Sequence, residues 1–259
     1  QTVADYGFAK ILRVAPASYL TLVDAKRGMH SAAEPKTVTL ALVTDEVEGW
    51  YEYLTEAGVP MRAEFQPAIG RPHVGFVAID PEGYFLEFER FEPHEENEHL
   101  LPALERLWPL YPDPNVNSSR PAELGIRATI LWLYYRDTSA ANRFYTEIFG
   151  AVPIVDQGWA WAYQASPSGF LGIVDGERGL HQATDDKGVT VSLVVDDVDA
   201  WFEYMKGAAG FKLRSEEVGD ESGHVRVFVG YDPEGYFLEW DTFLDVEGNE
   251  ELLRQLRRE

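Results

Sequence analysis

The apolar positions ahead of Phe91 change period several times, and each change marks an element. Tyr6–Val14 alternates as a strand does, and Tyr19–Val23 is a short apolar strand bounded by turn residues. Val38–Thr44 is rich in β-branched residues and predicts another strand. Val47, Trp50, Tyr51 and Leu54 then fall at spacings of 3, 1 and 3, one face of a helix over 46–57. Asp45 stands ahead of it as an N-cap, since its side chain accepts an orphan helix N–H. Strands over His73–Ile79 and Tyr84–Phe88 follow, joined by Asp-Pro-Glu-Gly, which suits a type I turn.

The same pattern recurs later in the chain. Asp24–Ala32 (DAKRGMHSA) returns as Asp175–Ala183 (DGERGLHQA), and Val38–Trp50 as Val189–Trp201, with Asp196 in the capping position. DPEGYFLE occurs at Asp80–Glu87 and again at Asp232–Glu239. Asn97, Glu98, Leu100 and Leu101 reappear as Asn249, Glu250, Leu252 and Leu253. Two homologous domains are therefore expected, 1–110 and 125–259. The Pro-, Ser- and Asn-rich stretch 111–124 is the linker. Each copy should close its own sheet, so that 1–95 superposes on 126–245. The second copy opens with a strand (Thr129–Tyr135) and an amphipathic helix (about Ser139–Phe149). The first copy lacks both, and Gln1 reads as a truncated beginning.

Composition narrows the function classes. Hydrophobic residues make up 45% of the 259 and aromatics 13%, as in a packed globular protein. A formal charge of −22 excludes nucleic acid and an anionic membrane surface as partners, because phosphate binding needs clustered positive charge. No apolar run has the length of a spanning helix. The absence of cysteine removes disulfides, thiolate metal sites and cysteine nucleophiles, and fits a cytoplasmic protein.

A twice-used βαβββ unit, Phe144–Tyr145 in the first helix and the doubled DPEGY-x-x-E hairpin resemble the vicinal-oxygen-chelate superfamily, the group of glyoxalases, bleomycin-resistance proteins and extradiol dioxygenases. The resemblance implies an α+β fold: tandem pairs of βαβββ modules in curved, mainly antiparallel sheets with outer helices. It also implies a divalent metal held by a first-strand residue, a residue of the strand opening the second module, and a Glu on the last strand. The Glu position is filled by Glu239, and by Glu87 in the first copy. The other positions hold Ile130 and Thr190, with Thr39 in the first copy. One carboxylate holds a divalent ion weakly against water, so no metal or other cofactor is expected, although a divalent metal stays open.

The remaining candidates are histidines and aromatics. His30 and His181 are repeat-related, and each lies in Arg-Gly-x-His, where a loop histidine serves as ligand, base or turn cap. Trp159, Trp161 and Tyr163 alternate with alanines and leave one strand face, while Trp132 and Tyr134 share the face of Ile130. Such aromatics line a pocket or a packing face equally well. The expected pocket comprises Trp132, Tyr134, Trp159, Trp161, Tyr163, Thr190, Ser192, Phe237 and Glu239. Trp50 and Trp201 belong to the core. The expected function is binding of a small hydrophobic or aromatic molecule in that aromatic cup. The alternative is a metal-dependent lyase or dioxygenase using Glu239 and His181 as catalytic or unorthodox ligand groups.

Overall fold

The sheets of the computed structural model, which describes residues 1–67, 70–115 and 119–257, do not follow the repeat. Part of the expected linker and the end of the charged tail (Val116–Ser118, Arg258 and Glu259) lie outside the described residues. The first copy contributes β1 (Thr2–Asp5), β2 (Ala9–Ala15), β3 (Ser18–Val23), β4 (Val38–Val43), α1 (Val47–Glu56), β5 (His73–Ile79), β6 (Phe85–Phe91) and α2 (Leu100–Glu105). The second begins with β7 (Ala128–Tyr135) and α3 (Thr138–Arg143), which runs into a π-turn at Phe144–Ile148. It continues with β8 (Pro153–Asp156), β9 (Ala160–Gln164), β10 (Gly169–Asp175), β11 (Thr190–Val194) and α4 (Val198–Met205). Short strands β12 (Lys212–Leu213) and β13 (Gly219–Glu221), then β14 (Val225–Tyr231), β15 (Phe237–Phe243) and α5 (Glu250–Leu256), complete it.

A seven-stranded sheet, ordered β5-β6-β4-β7-β10-β9-β8, crosses from one copy to the other. Its seam is the antiparallel pair β4–β7, in register from Val38 opposite Leu133 to Val43 opposite Ala128. A second sheet, β11-β15-β14-β12 with β13 on β14, comes from the second copy alone, and β1–β3 form a separate meander. The expectation that each copy closes its own sheet therefore fails. A strand edge is satisfied by any partner with the right pattern, so similarity finds equivalent segments without finding who pairs with whom. The fold class holds: most strand pairs are antiparallel, with parallel contacts at β4–β6, β7–β10 and β11–β15.

Strand alternation sends two sets of side chains to opposite faces. On the outer face, α1 packs Val47 and Trp50 on Leu42, Phe76 and Phe88. α3 and α4 pack into one large core with Leu133, Ile173, Phe228, Leu238 and Trp240. Trp50 is buried under α1, and Trp201 lies half-buried against the α4 core, as expected. Capping differs from expectation. Asp197, one residue past Asp196, accepts from the Ala200 N–H at 3.0 Å. α1 starts after Glu46 without a side-chain cap, because Asp45 is turned to an ion pair with Arg127.

The repeat-related helices α2 and α5 lie on the inner faces. Leu100 and Leu104 pack on Ala41, Ala128, Ile130 and Phe170 of the seven-stranded sheet. Leu252 packs with Val3, Ala4 and Ile11 of the meander. Buried Asn97 and Asn249 fix the approach to each helix by donating to backbone carbonyls, at 2.8 Å to Glu92 and 2.7 Å to His224. No helix among the described residues is long and apolar enough to cross a membrane.

Candidate functional site: two inner faces with paired carboxylates

The hairpin after each Asp-Pro-Glu-Gly turn carries the inner face. Asp80 accepts from the Glu82 and Tyr84 N–H groups, and Asp232 from Glu234 and Tyr236. That turn sets the phase of the next strand. Phe85, Glu87 and Glu89 on β6, and Phe237, Glu239 and Asp241 on β15, therefore all face inward, opposite the helix-packed Phe88 and Trp240. Each half thus bears two carboxyl groups two residues apart on one strand face.

These carboxyls titrate high because they are removed from water. Burial pushes Glu87 up to about 7, with the Arg62 guanidinium opposing, and pushes Glu89 well above the usual carboxylate range, with the Glu87 charge adding to it. Burial likewise raises Asp241 to about 7 against the hydrogen bond it accepts from the Ser192 hydroxyl. Glu239 goes well above its ordinary value through burial and then the neighbouring Asp241 charge.

Around each pair the repeat supplies matching parts. His181 stacks its ring 4.3 Å from Phe85 and edge-on to Tyr134, and burial lowers its pKa. Its Nε2 is buried with no hydrogen-bond partner. His30, from the first copy, sits 4.5 Å from Phe237, with Nε2 at 2.9 Å from the Thr190 hydroxyl and Nδ1 at 2.7 Å from Glu34. Arg62 lies over Phe85 and Arg214 over Phe237. The histidine of each copy therefore packs on the hairpin aromatic of the other, His181 on Phe85 and His30 on Phe237. His181 lies against Phe85 and Tyr134 of the seven-stranded sheet while Glu239 stands on β15 of the other, so the expected joint role of His181 with Glu239 is not assembled.

The nine expected pocket residues fall in three places. Trp132, Tyr134 and Trp159 cluster with Ala160 and Val174 on the inner face of the seven-stranded sheet. Trp132 lies so flat over Gly172 that a Cβ there would come within 1.9 Å of its ring. Trp161 and Tyr163 point the other way, into the helix-packed core with Tyr145, Leu171 and Ile173. The alternation breaks between Trp159 and Trp161, since β9 starts only at Ala160, after Gly158 at a left-handed φ of 73°. Thr190, Ser192, Phe237 and Glu239 stand on the other sheet, on β11 and β15. Sequence reasoning passed over Glu89, Asp241, Arg62 and Arg214. The signal for the first two was a second acid two residues after the Glu, in FLEFE and FLEWD.

The metal positions implied by the resemblance can be tested on the seven-stranded sheet. Glu87, Ala41 and Ile130 stand side by side across β6, β4 and β7. Ile130 is apolar and fully buried, and the buried Thr39 hydroxyl is engaged at 2.8 Å with that of Tyr134. The residues at these positions do not form a ligand set.

No protein-family model matches the sequence, and no curated protein matches it. Solved structures do. Glyoxalase I from Zea mays superposes with a TM-score of 0.58 at 16% identity, covering 96% of this chain and 81% of that one. A Bacillus subtilis protein described as a suspected dioxygenase gives 0.59 at 13% identity, covering 94% and 77%. The chain has the vicinal-oxygen-chelate fold.

Proposed function

We propose that the protein binds a small hydrophobic or aromatic organic molecule at the five-stranded sheet, without the ligand set of the fold's metal-dependent members. The observation that carries this reading is an open cleft of about 710 Å³ at the Asp232–Gly235 end of the sheet, within the size range of ligand sites. Tyr231 and Phe237 face each other across β14 and β15 with ring centroids 4.9 Å apart and form its aromatic wall. Lys212, Lys187 and Glu34 supply charge around it. Phe237 also joins the cleft to the inner face, where Thr190, Ser192 and Glu239 offer hydrogen-bonding groups. The aromatic part of the site is thus supplied by Tyr231 and Phe237, with the cluster around Trp132 packed in the other sheet.

A compound screen read by thermal shift and followed by calorimetry tests this. Phe237→Ala should weaken a hit about tenfold or more, since an anchoring aromatic in such a site contributes about 1–3 kcal/mol. Hits that bind Phe237→Ala and Tyr231→Ala as tightly as the parent would refute the location.

A further inference from the structure

The two carboxyl pairs are alike in sequence position and differ in how their buried oxygens are satisfied. In the five-stranded sheet Ser192 stands beside Glu239 and its hydroxyl donates to Asp241. In the seven-stranded sheet the equivalent of Ser192 is Ala41, which has nothing to donate. Glu89 is only 2% exposed, and its Oε1 is buried without a hydrogen-bond partner. Leaving a carboxyl oxygen so placed is costly unless something positive reaches it.

The same half has a group the other lacks. His73 opens β5 opposite Phe91, diagonal to Glu89, while the matching position opposite Phe243 is Val225. Gly75 stands directly opposite Glu89, and a Cβ there would come within 3.0 Å of the Glu89 Cβ, so the missing side chain keeps the space between strands clear. As a result one imidazole nitrogen and one oxygen from each of Glu87 and Glu89 all lie within 4.8 Å of one another.

We infer that His73, Glu87 and Glu89 form a binding site for a divalent first-row transition-metal cation. Two carboxylates balance the charge of the ion, and the imidazole favours Zn²⁺ or Co²⁺ over Mg²⁺ and Ca²⁺, which prefer all-oxygen shells. Three protein donors leave further positions to water, and the exposed His73 puts the ion at the sheet margin. The site shares Glu87 with the position implied by the fold but draws its other donors from β5 and from the far end of β6. It also lies in the opposite half of the molecule from the proposed ligand cleft, so the two readings stand or fall separately.

The test is titration of the full chain with Co²⁺ and Zn²⁺ alone, by calorimetry and by the visible absorption of bound Co²⁺. One saturable equivalent per chain is expected. His73→Ala, an exposed change that leaves the core intact, should weaken it at least tenfold, and so should the isosteric Glu89→Gln. His99→Ala, which removes a surface imidazole elsewhere, should leave it unchanged. No saturable binding, or binding indifferent to both His73→Ala and Glu89→Gln in variants that melt like the parent, would overturn the inference.

Discussion

Trp161→Ala should lower stability by about 3 kcal/mol, a fall of roughly 6–12 °C in melting temperature for a chain of this size. It should leave ligand affinity at the five-stranded sheet unaltered. The side chain lies opposite Ile173 on β10 and leans on the core shared by α3, the π-turn and α4. Removing it deletes apolar contact on the packed side of the sheet and leaves a void that the neighbouring rings fill only in part. The figure sits at the low end for a tryptophan because Trp161 is half-buried. A thermal melt beside the calorimetric titration decides the matter. An unchanged melt with lost binding would return Trp161 to a ligand site.

The second large effect is one of pH. The folded-state Asp241 carboxyl titrates near 7 and an unfolded aspartate near 4, so the folded chain holds this proton more tightly. Its contribution to stability is fully present below about pH 4 and is lost as pH rises through about 7. The three-unit difference corresponds to about 4 kcal/mol if Asp241 acted alone, and its coupling to Glu239 divides that between two groups. Asp241→Asn keeps an acceptor for Ser192 and removes the ionisation. It should therefore be more stable than the parent by about 2–4 kcal/mol at pH 8, with the gap closing by pH 4–5. Denaturant unfolding of both proteins across that range measures it. A gap that is the same at every pH would mean that Asp241 is ionised throughout.

The elements were legible because they depend on short spans. The repeat, the 3-1-3 helix face at Val47–Leu54 and the Asp-Pro-Glu-Gly turns each follow from local period and turn chemistry. Pairing was not. Nothing in Val38–Val43 says that its free edge meets Ala128–Tyr135 rather than a strand of its own copy, since backbone edges carry no sequence label. With each copy expected to close its own sheet, His181 is expected beside Glu239, whereas it packs on Phe85 of the other copy. The tryptophans failed for another reason: alternation gives two faces but not which one turns to the helices, and a left-handed glycine reset the phase at Trp159. The single Glu of the hairpin was read as the chemical group. The acid two residues on, Glu89, is buried on the same face and falls outside the expected strand, which stops at Phe88 where β6 runs on to Phe91.

The seam between β4 and β7 also fixes an order of events on the ribosome. Val38 finds Leu133 across 95 residues of chain, and Tyr6 finds Asn249 across 243. Arg13 likewise meets Gln255, at 2.7 Å. The β1–β3 meander is made long before α5, the helix it packs against, so its apolar residues Val3 and Ile11 stay uncovered until α5 has emerged. Closing such long loops is slow, and the waiting segment is exposed to wrong partners meanwhile. The finished chain resembles a clasp more than two beads. A cut in the connecting stretch would leave its fragments gripping each other through the seam and through the contact of the β1–β3 meander with α5.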